Sequence, residues 1–186
     1  MAKEFKKIMS PEFRVSYPNL FKPSAFSEEQ EKKFNVQMLF PKENKAALKP
    51  LMDLVAEVIA AKWGDKASSM NIKKPWKDGD VDKIGKPEYE GMIYANATSK
   101  ADRRPVVVDE NCQPILDESE LYGGCWCRAM LTCYAYDKVG NRGVSFGLQS
   151  LQKVRDDEHF GSAGGSASDF EPVAGGSKVS TEDMFN

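Results

Sequence analysis

Apolar and polar residues alternate in two early stretches, residues 12–21 and 32–40, with the period of a half-buried β-strand. The residues that we predict to face the core are Phe13, Val15, Tyr17, Phe34, Val36, Met38 and Phe40. Because proline cannot donate a ladder hydrogen bond, we expect these strands to end at Pro18 and Pro41. The chain therefore begins with two strands that each bury one face.

The pattern changes to helical spacing between residues 44 and 63. The apolar residues at that spacing are Leu48, Leu51, Met52, Val55, Ile59 and Trp63. Asn44 is a suitable N-cap and Gly64 a suitable C-terminal stop. We therefore expect one long helix whose apolar stripe covers part of the sheet.

Residues 66–87 are rich in Lys, Asp, Gly and Pro, and predict a long irregular segment of a type that is commonly functional. Strand patterns then return at residues 89–100, 104–108, 114–116, 121–136 and 143–153. Residues 137–141 join the last two strands as a hairpin turn. Short antiparallel strands with one early helix predict a mainly β fold, a small β-barrel or sandwich with one capping α-helix. The OB-fold is the barrel of this kind that binds oligonucleotides.

Acidic residues are concentrated at the end of the chain. Residues 156–186 contain seven acidic residues and one lysine, whereas residues 1–155 contain 21 acidic and 25 basic residues. The terminal stretch is largely Gly, Ser and Ala, and it buries too little apolar surface to offset the entropy lost on ordering. We predict a domain over residues 1–158 and a disordered acidic C-terminal tail over residues 159–186. A basic body with an acidic arm indicates a polyanion binder whose terminus competes for the site or recruits a partner.

Several classes of protein are disfavoured by composition. No apolar run reaches the ~18–20 residues of a membrane span, and the N-terminus lacks a signal-peptide core, so we expect a cytoplasmic protein. Cys125, Cys127 and Cys133 alternate within one apolar run, which favours reduced, buried residues. A zinc site is the alternative, although structural zinc ligands usually form Cys-x2–4-Cys pairs on turns. We expect no cofactor.

The strand predicted at residues 121–136 has two contrasting faces. One face is small or aliphatic, and the other carries Trp126, Arg128, Tyr134 and Tyr136. In one interpretation, a second layer formed by the helix or a dimer partner covers these rings. In the other, they form a stacking platform for bases, with the arginine at a phosphate.

Two further patches combine an aromatic ring with cations. The polar face of residues 89–100, with the turn that follows it, carries Tyr94, Asn96, Lys100, Arg103 and Arg104. The irregular segment carries Lys73, Lys74, Trp76 and Lys77. Both patterns are typical of a nucleic-acid contact. The alternatives are an ordinary solvated strand face with one tyrosine, and a tryptophan that folds under its own loop to anchor it.

Enzymatic motifs are missing from the sequence, which has neither a phosphate-binding Gly-Lys-Ser/Thr loop nor a His-Glu-x-x-His pair. His159 is the only histidine and lies in the predicted tail, which argues against Ser-His or Cys-His catalysis. Asp78, Asp80 and Asp82 alternate in one loop and offer an alternative, the Mg²⁺ or Ca²⁺ site of a metal-dependent nuclease. The same residues are ordinary turn formers. We predict a protein that is not an enzyme.

Four segments of the sequence resemble a family of bacteriophage single-stranded DNA-binding proteins with an OB-fold: PWKDGD, YEGMIYANATSK, LYGGCWCRAMLTCYAYD and GVSFGLQSLQKVRDDEHFG. The resemblance spans residues 5–160. It implies non-catalytic, largely sequence-independent binding during phage DNA replication and recombination, in the cytoplasm of the bacterial host. The tail resembles the acidic tails of replicative single-stranded DNA-binding proteins, which end at or near a phenylalanine.

We therefore interpret the chain as an OB-type β-barrel that coats single-stranded DNA through a basic, aromatic-lined groove. The predicted DNA contacts are Lys73, Lys74, Trp76, Lys77, Tyr94, Asn96, Lys100, Arg103, Arg104, Trp126, Arg128, Tyr134 and Tyr136. The predicted anchor for replication and recombination proteins is the tail tip, Glu182, Asp183, Met184 and Phe185. The main alternative is a protein-interaction adaptor in which the aromatic faces form a homodimer or partner interface.

Overall fold

The computed structural model describes residues 5–25 and 27–160. Its helices and strands are, in chain order, β1 (Lys7–Met9), β2 (Phe13–Ser24), β3 (Lys33–Pro41), α1 (Lys49–Trp63), β4 (Trp76–Asp78), α2 (Gly79–Asp82), β5 (Met92–Lys100), β6 (Val106–Val108), β7 (Trp126–Lys138) and β8 (Asn141–Arg155). The predicted tail beyond Phe160, with its tip Glu182, Asp183, Met184 and Phe185, lies outside the described residues.

Five of the strands pair in a ring, in the order β2, β3, β5, β8, β7 and back to β2. Every pairing in this ring is antiparallel except that of β5 with β8. The order is that of the OB-fold, a partly open five-stranded barrel, and it confirms the predicted mainly β class. Strands β1 and β2 pair in succession along the same edge of β7, so they act as one long strand interrupted at residues 10–12.

The edge of β8 that faces away from β7 is covered by three short segments in succession. Lys73 bridges to Gly143, β5 pairs at Phe146 and Gly147, and β6 pairs at residues 150–152. Strand β4 pairs with β5 beyond the point where β5 leaves β8. The irregular segment predicted at residues 66–87 therefore fills the opening of the ring with its residues 73–78.

The inward faces of the ring form one core with the apolar stripe of α1. Its members include Phe13, Val15, Val36, Met38, Leu51, Val55, Trp63, Cys125, Cys127, Leu131, Cys133 and Phe146. The three cysteines of this core are buried and free of disulfides, as their spacing predicts. The expected helix is confirmed, and it ends at Gly64, which has a φ of 56°. A 3₁₀ turn over residues 42–48 replaces its predicted first turn, because Pro50 suits only the beginning of an α-helix.

Residues 79–91, which we call the flap, lie on the outer face of the ring. Tyr89 is fully buried there and packs edge-on against Tyr94, with ring centroids 5.4 Å apart. Its hydroxyl is 3.2 Å from the Ser16 Oγ atom on β2 and donates to the Gln37 side-chain oxygen on β3. The flap is therefore attached to the sheet by a buried, hydrogen-bonded tyrosine.

A three-residue clasp holds the beginning of the flap. The Lys42 Nζ atom lies 2.7 Å from an Asp78 carboxylate oxygen and 2.6 Å from one of Asp80. These hydrogen bonds raise the pKa of Lys42 and lower the pKa values of Asp78 and Asp80. The alternating aspartates predicted as an alternative metal site thus bind an ammonium group of the chain itself, and Asp82 accepts a hydrogen bond from the Tyr94 hydroxyl.

Strand β2 departs from its predicted alternation at Tyr17. This residue has a φ of 46°, the strand register shifts between Ser16 and Asn19, and the strand continues past Pro18 to Ser24. A β-bulge adds one residue to a strand and reverses the faces on either side of it. Tyr17 is consequently 61% exposed, and the prediction that it faces the core is wrong.

Two other predicted strands are shorter than expected. Residues 114–116 contribute a single bridge, from Pro114 to Val108, and residues 121–125 lead into β7 without strand pairing. Among residues 5–25 and 27–160, no helix is long and apolar enough to cross a membrane.

We expect Tyr89→Phe to lower the free energy of unfolding by about 1–2 kcal/mol, because Ser16 and Gln37 lose a buried partner. Tyr17→Phe is the matched control, since its hydroxyl is on an exposed side chain, and we expect a change of at most about 0.5 kcal/mol. Urea unfolding of both variants measures the difference. Equal stability of Tyr89→Phe and wild type would show that the flap is not held by this hydroxyl.

Candidate nucleic-acid interface

The outer faces of β3 and β5 carry neutral polar side chains in register. Gln37 pairs with Asn96 across the strands, and its amide donates to the Asn96 side-chain oxygen at 3.2 Å. Asn35 is opposite Thr98 and accepts a hydrogen bond of 3.1 Å from the Asn19 side chain. Amides of this kind hydrogen-bond both bases and sugars without adding charge. The predicted contact Asn96 lies in the centre of this surface and is exposed.

Cations surround this polar surface. Lys33 and Lys100 are directly opposite each other on β3 and β5, and Arg103 and Arg104 follow in the next turn. On the other side, Lys77 on β4 is paired with Tyr94. Within residues 5–25 and 27–160, no acidic side chain pairs with any of the following: Lys33, Lys73, Lys74, Lys77, Lys83, Lys86, Lys100, Arg103, Arg104 or Arg128. Their positive charge is therefore available to an anionic ligand.

Tyr94 differs from its prediction as an exposed stacking ring. It is only 4% exposed, because the flap covers it. Its hydroxyl donates to Asp82, and burial together with this carboxylate raises its pKa. On the flap, the Lys83 Nζ atom lies 5.8 Å from the centre of the Tyr89 ring and 5.6 Å from that of Tyr94. The Lys86 Nζ atom lies 6.0 Å from the centre of the Tyr89 ring. At this position the surface thus presents flap lysines rather than the tyrosine ring.

Trp76 also faces inward. It pairs with the core residue Ala95, packs against the core, and lines an apolar gap with Leu48 and Phe146. This packing matches the alternative in which the tryptophan anchors its own loop. The neighbouring predicted contacts Lys73, Lys74 and Lys77 remain exposed.

Trp126 lies at the beginning of β7 in a cluster of charged groups. Its ring centroid is 4.4 Å from the Arg155 guanidinium and 6.0 Å from that of Arg14. The indole N–H donates to a carboxylate oxygen of Asp157 at 2.7 Å, and this hydrogen bond lowers the pKa of Asp157. The Trp126 ring is therefore half-buried among charged groups, with a guanidinium on each neighbouring strand, and it is not part of the core.

The remaining predicted contacts lie on the outer face of β7. Arg128 is exposed and donates to Gln152 at 2.8 Å. Tyr134 and Tyr136 are half-buried, and Tyr136 leans over Gly143 of β8, where a β-carbon would collide with it. Both tyrosines therefore pack partly on β8. Strand β7 is not adjacent to β3 or β5 in the ring, so the two rings lie apart from the polar surface of those strands.

Three residues next to Trp126 were not predicted as contacts from the sequence: Arg14, Tyr122 and Arg155. Arg14 occupies an outward position in the first predicted strand, and the outer-face alternation was a usable signal for it. Residues that lie directly opposite one another on adjacent strands form one row across the outer face: Arg155, Trp126, Arg14, Leu39, Tyr94 and Lys77. This row connects Trp126 and its charged neighbours to the outer faces of β3 and β5. Tyr122 has the same parity as Trp126 in the strand predicted at residues 121–136, so the alternation was a signal for it as well, although in the structure it precedes β7.

In the part of the chain that the structure describes, no three His, Cys, Asp or Glu side chains come together as metal ligands. The Cys125 and Cys127 sulfurs are 3.9 Å apart, but both are buried in the core, and Cys112 is exposed elsewhere. An OB-type ring with a polar, cation-bordered outer face defines a nucleic-acid-binding class of protein.

The sequence matches a family model described as Enterobacter phage Enc34, ssDNA-binding protein, over residues 6–185. A relative, protein p50 of Acyrthosiphon pisum secondary endosymbiont phage 1, is 31% identical over 175 residues, which cover 87% of this chain and 90% of that protein. The chain belongs to the Enc34 family of phage single-stranded DNA-binding proteins, which confirms the resemblance seen in the sequence.

Solved structures agree with this assignment. The single-stranded DNA-binding protein of bacteriophage Enc34 in complex with ssDNA is 30% identical, with a TM-score of 0.71 over 83% of this chain and 89% of that one. The gp2.5 single-stranded DNA-binding protein of bacteriophage T7 is 15% identical, with a TM-score of 0.60 over 89% of this chain and 99% of that one. The second likeness is one of fold alone. The family is described by DNA binding and not by a catalytic activity.

Proposed function

We propose that this protein binds single-stranded DNA without sequence preference and coats it during phage DNA replication and recombination. The proposal rests on the cations that surround the amides of Asn35, Gln37 and Asn96 on the outer faces of β3 and β5, which we call the amide surface. Within the described residues these cations have no acidic partner. Lys33 and Lys100 lie directly opposite one another, although like charges in that position destabilise a sheet. A bound phosphate would remove that repulsion. Family membership, with the Enc34 protein in complex with ssDNA, supports the same ligand.

The amide surface fits binding without sequence preference. Asn35, Gln37 and Asn96 offer both donors and acceptors, so they accept any base edge or sugar. Affinity then comes mainly from cations at phosphates, which carry no sequence information. DNA bound along β3 and β5 would end near Arg103 and Arg104 on one side and near Lys77 and the flap on the other.

The central experiment measures the affinity of the full chain for fluorescent oligo-dT at several salt concentrations. We expect log K to fall linearly with log salt, with a slope of about −0.7 per phosphate neutralised. Replacing Lys73, Lys74 and Lys77 together by Ala should flatten this slope by about 2, one increment per lysine. The matched control replaces Lys45, Lys49 and Lys62, which are exposed on the helix side, and should leave the slope unchanged.

The outcomes separate the alternatives. An unchanged slope in the Lys73/Lys74/Lys77 variant would remove that loop from the site. If the wild-type chain failed to bind oligo-dT at any salt concentration, the protein-interaction adaptor would be the better interpretation.

The two tryptophans should respond differently to truncation. We expect Trp126→Ala to weaken oligo-dT binding by about 1–3 kcal/mol, the usual value of one base–aromatic stack, with little change in melting temperature. Trp76→Ala removes a ring packed against the core, so we expect about 3 kcal/mol of lost stability. Paired affinity and melting measurements test this. A stability loss without an affinity loss for Trp126→Ala would show that its ring is structural.

We also propose that the acidic tail modulates DNA binding and recruits replication partners. Because His159 stacks on Tyr122 and the Phe160 amide donates to the Gly123 carbonyl, the tail in this proposal is taken as residues 161–186. It carries four acidic residues and one lysine. A tethered segment has an effective concentration in the millimolar range, so it should compete with DNA for the cations.

We expect truncation after Phe160 to leave the fold intact and to tighten oligo-dT binding at low salt, because the tail no longer competes. The gain should shrink as salt rises and screens the charges. A second variant replaces Asp169 and Asp183 by Asn, and Glu171 and Glu182 by Gln. It removes the negative charge of the tail without shortening it, and it should behave like the truncation. Equal affinities of all three chains at low salt would identify the tail as a solubilising segment.

Met184→Ala with Phe185→Ala should leave DNA affinity unchanged and reduce only partner recruitment.

A further inference from the structure

Residues Asp156–Phe160, which we call the strap, leave the end of β8 and cross the outside of β7 and β2. The strap is joined to the loop before β7 by a hydrogen bond of 2.8 Å from the Phe160 amide to the Gly123 carbonyl. Gly124 has a φ of 118°, and a β-carbon there would overlap the carbonyl of Glu158. Gly124 thus leaves room for the strap to lie directly on the backbone at this point.

A ring of the strap stacks on an aromatic side chain. The His159 imidazole lies parallel to the Tyr122 ring, with centroids 3.8 Å apart and an angle of 12° between the planes. This is the parallel, stacked geometry of a base on an aromatic platform, rather than the edge-on contact found between Tyr89 and Tyr94. The Tyr122 hydroxyl donates to an Asp156 carboxylate oxygen at 2.8 Å.

Anionic groups of the strap lie beside this stacked ring. One Asp157 carboxylate oxygen accepts the Trp126 indole N–H at 2.7 Å and is 3.7 Å from the Arg14 guanidinium. Arg14 also donates to the Glu158 carbonyl at 2.9 Å, and its guanidinium lies 4.3 Å from the centre of the Phe160 ring. A carboxylate on an arginine and an indole N–H, next to a flat ring on a tyrosine, has the chemistry of a phosphate followed by a base.

We propose that Tyr122, Trp126 and Arg14 form a nucleotide-binding subsite, and that Asp157 and His159 occupy it in the DNA-free protein as a phosphate and a base would. Single-stranded DNA displaces the strap and places one base on Tyr122 and one phosphate at Arg14. The subsite continues the proposed interface, since Trp126 and Arg14 share a register row with Lys77. This inference rests on the proposed function and identifies one end of the DNA path.

Displacement of the strap is an exchange of similar contacts. The strap follows β8 without pairing to another strand within the described residues, and Asp156–His159 are exposed. The contacts of Asp157 with Trp126 and Arg14, and the stack of His159 on Tyr122, are each replaced by an equivalent contact of the nucleotide. A strap of this kind reduces the free energy of DNA binding by the free energy of its own contacts, and it covers Tyr122 and Trp126 until DNA binds.

The chain has a single histidine, so its imidazole proton signals report directly on the strap. In full-length protein we expect ring-current-shifted signals from His159, because the imidazole stacks on Tyr122. Saturation with oligo-dT should move these signals to the position of a free imidazole. Tyr122→Leu should place them there before DNA is added. Shifted signals that persist at saturation, while other resonances titrate, would overturn the proposal.

Affinity measurements test the platform itself. Tyr122→Leu should weaken oligo-dT binding about tenfold, whereas Tyr122→Phe, which keeps the ring, should bind at least as tightly as wild type. His159→Ser should tighten binding severalfold in the wild-type background and have no effect when combined with Tyr122→Leu. Melting temperatures of all variants show that the fold is retained.

The results distinguish this inference from the proposed function. If the wild-type chain does not bind oligo-dT, the proposed function fails and the subsite with it. If the wild-type chain binds but a folded Tyr122→Leu variant binds equally well, the subsite alone is refuted.

Discussion

Strands β5 and β8 touch over two residue pairs, Ala97 with Phe146 and Thr98 with Gly147, and this short parallel contact closes the ring. Small residues lie at this contact: Ala97 is buried beside Phe146, and Gly147 also packs closely on β7, where a β-carbon would overlap the Thr132 side chain. Because the contact is short, β5 diverges from β8 and leaves an opening that residues 73–78 fill. The position of the exposed lysines Lys73, Lys74 and Lys77, next to the outer faces of β3 and β5, follows from this closure.

The local parts of this fold were predictable, since β3, β5 and α1 each show one clear period over at least nine residues. Tyr17 was not, because a bulge with a positive φ reverses the alternation without a glycine to mark it. Tyr94 has the right parity for the outer face, yet the flap buries it through contacts that depend on Tyr89 and Lys42. Periodicity reports which face a residue lies on, but what covers that face is decided by distant residues.

The same limit applies to charge. Summation along the sequence divides the chain into a basic body and an acidic end, and it assigns Asp156, Asp157 and Glu158 to the acidic end. In the structure, Asp156 pairs with Lys153 at 2.7 Å and Asp157 contacts Trp126 and Arg14. Two of these acidic groups, Asp156 and Asp157, therefore compensate cations of the folded surface locally. Charge that acts over a Debye length of about 10 Å has to be assigned by position in space rather than by position in the sequence.

The folded surface thus contains two kinds of cation. Arg14, Lys42 and Lys153 have carboxylate partners within the described residues, whereas Lys33 and Lys100 repel each other across two strands. In the proposed function an anion that binds the second kind relieves repulsion, so DNA binding and folding stability are linked. An anion that binds at Arg14 must first replace Asp157. The binding free energy there is therefore the small difference between the free energies of two similar contacts. Affinity at the β3–β5 surface would then come from relief of repulsion, whereas the Trp126 end would respond to competition by the chain's own residues.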